Sequence, residues 1–164
     1  MELFKVVELG TCFFAIAAKP SSESVLSDLT MLKDAGVDVV FSLIEPEEAA
    51  WLDLSSEDQA ATLVGLQYEN YPMPDRKPPS DLDQFLALTR HVLVNLESGS
   101  STVVHCVGGI GRSGLVALAV LLNRGYEVGA AIDLVSEIRG RKAPDTHSQI
   151  DWFQQNAALL TFAD

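Results

Sequence analysis

Residues 102–114 read TVVHCVGGIGRSG, and the chain continues through Leu115–Leu122 as LVALAVLL. Thr102, Val103 and Val104 are β-branched and suit a buried strand, which ends on His105 and Cys106. Val107, Gly108, Gly109, Ile110 and Gly111 follow as a glycine-rich loop, in which the backbone can take conformations that a Cβ forbids. The stretch from Leu115 is apolar without a polar stripe, which predicts a helix buried on most sides. A strand that feeds a glycine loop and then a buried helix is a turn of an α/β layered fold.

Working outward, the same alternation recurs. Thr11–Ala17 (TCFFAIA) is a short apolar strand, broken by Lys19 and Pro20. Ser24–Ala35 sets Val25, Leu29 and Leu32 on one helical face, and Gly36 ends it. Val37–Leu43 (VDVVFSL) is a buried strand. Two short helices are expected over Glu47–Leu52 and Glu57–Leu66, with Ser55 or Ser56 capping the second, and a strand over Gln67–Tyr71. Residues 72–79 hold four prolines in eight positions, which excludes regular structure and makes an exposed loop. Asp81–Leu96 is an amphipathic helix, and Glu127–Ile138 and Gln149–Leu160 are two more, flanking a basic turn from Arg139 to Pro144. The expected architecture is a single domain, residues 1–164. It is a central, mainly parallel sheet flanked by helices on both sides, with the glycine loop at the carboxyl end of a central strand.

Composition narrows the partners. A net charge of −12 over 164 residues repels nucleic acid and anionic membrane surfaces. An anion site in such a chain must be built locally, from backbone N–H groups and a few arginines. No run nears the roughly 18 apolar residues of a membrane span, and the start (MELFKVVE) lacks signal-peptide character. A cytoplasmic monomer is expected. Cys12 and Cys106 are then free thiols. Two cysteines and three scattered histidines show no ligand spacing, so no metal and no cofactor is expected.

The loop carries the chemistry. Three glycines allow N–H groups to turn inward into a nest that opens onto a helix N-terminus, an arrangement suited to a tetrahedral anion. Arg112 adds a planar, two-pronged donor set matched to two phosphate oxygens. The helix dipole and Arg112 favour the Cys106 thiolate, a nucleophile that needs no adjacent base. Ser113 can donate to that sulfur, and the His105 ring is expected to bond backbone near the loop.

The pattern H-C-x-x-G-x-G-R-S-G resembles the signature loop of the protein tyrosine and dual-specificity phosphatases. Residues 17–20 (AAKP), 36–40 (GVDVV) and 45–48 (EPEE) also look like the amino-terminal half of small members of that superfamily. The chain length resembles its compact dual-specificity branch. The resemblance implies phosphomonoester hydrolysis through a phosphocysteine at Cys106, with phosphate held by Arg112 and the loop residues Val107, Gly108, Gly109, Ile110 and Gly111. It implies Asp75, in the proline-rich loop, as general acid and then base, with Asp81 and Asp83 as rivals that suit a helix start better. Gln149 resembles the glutamine that orients the hydrolytic water, and Arg141 a rim arginine for a second anionic group. The implied substrate is a phosphorylated protein or peptide, on phosphotyrosine and also phosphoserine or phosphothreonine. Val107 and Ile110 are apolar and the loop has no lysine, which speaks against phosphoinositides.

Other readings stand beside this one. Cys106 alone would read as an inert buried cysteine. Cys12 reads as a small hydrophobe, the alternative being a disulfide partner for Cys106. A phospho-ligand binding module without turnover would use the same loop, as would a sulfurtransferase or an arsenate reductase. His91 and His147 read as surface residues, and Trp51, Trp152 and Phe153 as packing. Arg76, Lys77, Arg139, Arg141 and Lys142 are either a positive rim or two solvated loops.

Overall fold

The computed structural model describes residues 1–162. Among these residues, five strands form one sheet: β1 (Phe4–Leu9), β2 (Cys12–Ala18), β3 (Val39–Ser42), β4 (Gln67–Asn70) and β5 (Thr102–Cys106). Their order across the sheet is β1-β2-β5-β3-β4. The pairings β2–β5, β5–β3 and β3–β4 are parallel, and only β1–β2 is antiparallel. The sheet is therefore mainly parallel, with β5 and its glycine loop at the centre.

Among the described residues, seven helices connect and cover it: α1 (Val25–Asp34), α2 (Pro46–Trp51), α3 (Glu57–Val64), α4 (Leu82–Glu97), α5 (Arg112–Asn123), α6 (Val128–Arg139) and α7 (His147–Leu160). Alternation along the strands splits the core in two. Phe14, Ile16, Phe41, Leu43, Val104 and Cys106 face the side covered by α4–α7, where Phe85, Val92, Leu115, Leu118 and Phe153 meet them. Phe13, Ala15, Ala17, Val40 and Val103 face the other side, against Leu29 and Leu32 of α1 and Ala61 of α3. Helices on both faces exclude water from every central strand, which is why these strands read as unbroken apolar runs.

Three expectations need correction. β1 was not anticipated. Its pairing register shifts between Lys5 and Val7, and this bulge breaks the period of two that marks a strand in sequence. The buried helix begins at Arg112, so Arg112 and Ser113 belong to its first turn; every residue from Arg112 to Leu121 is buried. Trp51 was read as packing and is 88% exposed. By contrast, Trp152 packs edge-on against Phe85, with ring centroids 5.4 Å apart.

Candidate active site

Because successive side chains alternate, Cys106 and His105 leave β5 on opposite faces. Cys106 turns toward α5, and its Sγ accepts a hydrogen bond from the Gly109 N–H at 3.2 Å and lies 3.4 Å from the Ser113 hydroxyl. His105 turns the other way and is fully buried. Its Nε2 lies 2.7 Å from Glu57 at the start of α3, and its Nδ1 lies 3.4 Å from the Cys106 carbonyl. The backbone contact was expected. Glu57 was not, since a lone acidic residue at a helix start reads as a dipole partner.

The loop is fixed against β2. Lys19 N–H donates to the Val107 carbonyl at 3.2 Å. Gly109 has φ +65°, and a Cβ there would come within 2.4 Å of the Ala17 backbone, so this position needs glycine both for its conformation and for the close approach. At Gly111 a Cβ would meet the Asp145 carboxylate at 2.6 Å and the Gln149 amide at 2.9 Å.

Arg112 is 1% exposed. Its Nη1 and Nη2 bind the two oxygens of Glu48 at 2.7 and 2.9 Å, a bidentate pair. Nη1 also donates to the carbonyls of Met73 (3.2 Å) and Leu43 (3.4 Å). Burial works against the cation, but the Glu48 hydrogen bonds, with Cys106 and Asp75 nearby, outweigh it and hold the guanidinium above its usual value. In return, the Arg112 hydrogen bond holds the Glu48 carboxyl below the ordinary carboxylate value, against the opposing effect of its burial. Glu48 went unforeseen as a partner. It sits in the EPEE segment, whose Glu45 and Glu48 also form the capping box of α2.

The Met73 contact leads to Asp75. β4 runs on through Tyr71 N–H to the Ser42 carbonyl and Met73 N–H to the Leu43 carbonyl, and this seats the proline-rich loop beside Arg112. The Asp75 carboxylate lies 3.2 Å from Arg112 Nη2 and is itself 59% exposed. Asp81 is the N-cap of α4, its side chain accepting the Gln84 N–H at 3.0 Å. Asp83 is exposed in the first turn of the same helix. Neither lines the cavity at Cys106.

That cavity has a volume of about 200 Å³ and is walled by Asp75, Arg76, Cys106, Val107, Gly108, Ile110, Gly111, Arg112, Asp145 and Gln149. The Gln149 side chain is buried there and donates to the Lys77 carbonyl at 3.4 Å. Arg141 is exposed and forms no part of the wall. Arg139 instead reaches the loop, donating to the Gly108 carbonyl at 3.3 Å with its guanidinium 3.6 Å over the Phe4 ring. Spacing alone could not separate two arginines on one turn. A larger hollow of about 430 Å³ adjoins the cavity, sharing Asp75 and Val107 and lined also by Glu45, Glu47, Glu48, Trp51 and Leu52.

Cys12 lies at the far end of β2 from this site. Ala18 pairs with Cys106, and six residues of strand span about 20 Å, far beyond disulfide reach. The Cys12 thiol is buried against the Leu9 and Leu96 carbonyls at 3.2 and 3.4 Å. Among the described residues, no helix is long and apolar enough to cross a membrane.

A buried thiol that faces an amide donor and a carboxylate-anchored guanidinium, at the head of the central parallel strand, is the arrangement of the cysteine-dependent tyrosine and dual-specificity phosphatase superfamily. Within it, the family described as "Tc-R-P: Polymorphic toxin system, DSP-PTPase phosphatase" matches residues 16–126, and the chain belongs to that family. Cyclin-dependent kinase inhibitor 3 of Rattus norvegicus is 26% identical over 150 residues, covering 90% of this chain and 70% of the relative. The structure is similar to that of kinase associated phosphatase carrying a serine for its catalytic-site cysteine (TM-score 0.83, 24% identity, 91% of this chain and 89% of the other). It is also similar to Tk-PTP in the active form (TM-score 0.73, 24% identity, 93% and 94%).

Proposed function

We propose that the chain acts as one phosphatase unit that removes phosphate from phosphotyrosine in proteins, and also from phosphoserine and phosphothreonine, through a phosphocysteine at Cys106. The observation that carries this reading is the convergence of the Gly109 N–H, the Ser113 hydroxyl and the anchored Arg112 on one thiol and one cavity. In the first step the Cys106 sulfur attacks phosphorus, and Arg112 with the loop amides holds the equatorial oxygens, so catalysis is positioning and electrostatics. Asp75 supplies the proton to the departing oxygen. Ser113 stabilises the thiolate when the S–P bond later breaks.

The adjoining hollow supports a protein substrate. It is continuous with the cavity through Asp75 and Val107 and offers the exposed Trp51 ring and the Glu47 carboxylate to residues flanking the phosphorylated one. Its acidic lining disfavours a polyanionic lipid headgroup and favours basic flanking residues.

The test is hydrolysis of para-nitrophenyl phosphate and of phosphotyrosyl and phosphoseryl peptides against pH. Native protein should turn over all three with a bell-shaped profile. Cys106→Ser should abolish turnover, and Asp75→Asn should remove the basic limb. A native protein that binds vanadate without turnover would replace this reading with a phospho-ligand binding module. Arg139→Ala and Arg141→Ala, compared on doubly phosphorylated peptides, test which arginine serves a second anionic group.

A further inference from the structure

At its tip, the proline-rich loop that carries Asp75 has no buried side chain to hold it. Asp75, Arg76 and Lys77 are all exposed. The chain turns there with Arg76 at φ +57°, a conformation that strains a residue with a Cβ and persists only where the surroundings impose it.

Three contacts impose it, and all come from one place, the turn between α6 and α7 with the first turn of α7. Arg76 Nη1 donates to Asp145 Oδ2 at 3.4 Å. The Thr146 hydroxyl donates to the Arg76 carbonyl at 3.3 Å, and the Gln149 amide donates to the Lys77 carbonyl at 3.4 Å. Thr146 and Gln149 are themselves joined as the capping box of α7, and Gln149 is buried. A fixed helix start thus holds both side chain and backbone of the two residues directly after Asp75. On the other flank, Asp75 Oδ1 stands 3.2 Å from Arg112 Nη2.

Arg76 is 67% exposed, and an ion pair with so exposed a partner adds little to the stability of the fold. Its place in the loop matters more. A carboxyl that must meet a departing oxygen tolerates little displacement, and a shift of about 1 Å can cost on the order of 100-fold in rate.

Resting on the phosphatase reading above, we propose that Arg76 and Asp145 are positioning residues that hold Asp75 at the leaving-group oxygen during the first half-reaction. Both act through Asp75. As the bond from Cys106 Sγ to phosphorus forms, the bond from phosphorus to the leaving oxygen breaks, and the Asp75 proton passes to that oxygen. The tie between Arg76 and Asp145 keeps the carboxyl in line for this transfer, so it contributes only where the leaving group needs a proton.

The test is kcat/KM, which covers formation of the phosphocysteine, for aryl phosphates of graded leaving ability. Dinitrophenolate departs unaided, whereas phenolate must be protonated. Asp75→Asn should lose about 100-fold on phenyl phosphate and little on dinitrophenyl phosphate. Arg76→Ala should melt like native protein and lose about fivefold on phenyl phosphate, the upper end for an exposed ion pair, with the native value kept on dinitrophenyl phosphate. Asp145→Ala and the double variant should show the same loss on phenyl phosphate rather than its square, because the two residues form one contact. Arg76→Ala added to Asp75→Asn should cost nothing further. The assignment is overturned if Arg76→Ala lowers every ester alike, if it matches native protein throughout, or if its loss adds to that of Asp75→Asn. The phosphatase reading fails by different results: native protein hydrolyses none of the esters, or Asp75→Asn matches native protein on phenyl phosphate, which removes Asp75 as the acid and this assignment with it.

Discussion

Glu48→Gln isolates what anchors Arg112. The substitution keeps the side-chain shape and one accepting oxygen but removes the charge. In the native structure two charge-assisted hydrogen bonds, at 2.7 and 2.9 Å, tie the carboxylate to a guanidinium that is 1% exposed. Hydrogen bonds to charged groups contribute ~1.5–3 kcal/mol each, and breaking a buried pair costs ~3–5 kcal/mol. Glutamine retains one weaker bond, and the Glu48 side chain is 20% exposed, so the loss should be about 3 kcal/mol, at the lower end of that range. For a domain of this size that lowers Tm by about 6–12 °C. A guanidinium released from its fork shifts within the cavity, and kcat/KM for para-nitrophenyl phosphate should fall about 10- to 100-fold. The pH dependence has a definite sign. The folded state holds the Glu48 carboxyl below its ordinary 4.5. Its stabilisation is therefore complete above that pH and is lost as pH falls through the depressed value. The gap between native protein and Glu48→Gln should be widest near neutrality and close in acid. Calorimetric melts across pH, with steady-state kinetics at neutral pH, measure both. A variant with native Tm and native kinetics would show that the Leu43 and Met73 carbonyls and Asp75 hold Arg112 without Glu48.

Three further outcomes follow from named contacts. Gly109→Ala places a Cβ 2.4 Å from the Ala17 backbone at φ +65°; it should cost at least about 4 kcal/mol and abolish turnover, and a chemical-denaturation midpoint equal to native would refute the close approach. Burial, with Glu57 nearby, pushes the Tyr68 hydroxyl from 10.0 up to about 12. The unfolded chain therefore loses this proton first, stability drops between those two values, and Tyr68→Phe should remove that drop in melts and one late-titrating tyrosine in ultraviolet difference spectra. Trp51→Ala removes an exposed side chain and should leave Tm almost unchanged. It should lower kcat/KM for a phosphopeptide with basic flanks about tenfold more than for para-nitrophenyl phosphate, roughly 1.4 kcal/mol of selective binding; equal effects on both substrates would remove the hollow from substrate recognition.

What could be read from the sequence was local and periodic. The glycine loop, its strand and its buried helix follow from the order of residue types between Thr102 and Leu122, and the parallel sheet from the alternation on either side. What escaped was what folding brings together from distant segments. Glu48 and Glu57 lie 64 and 48 residues from their partners Arg112 and His105, and nothing in the local pattern distinguishes them from other acids at helix starts. The place of Asp145 on the cavity wall was hidden for the same reason, since only the packing of its turn over Gly111 marks it. β1 was lost to a bulge, and the exposure of Trp51 to the assumption that large aromatic residues pack.

The burial of α5 has a consequence for how the molecule opens. The loop that carries Cys106 is spliced between a strand buried along its whole length and a helix buried from Arg112 to Leu121. The hydrogen-bonded amides of that strand and of the buried turns of that helix should exchange with deuterated solvent only when the whole molecule unfolds. The Asp75 loop, with exposed residues from Asp75 to Lys77 and side-chain ties to Asp145, Thr146 and Gln149, should exchange through small local openings at far lower free energy. The two sides of the cavity then sit at opposite ends of the exchange hierarchy, so mild heat or denaturant would detach Asp75 long before the strand and helix that hold Cys106 are lost.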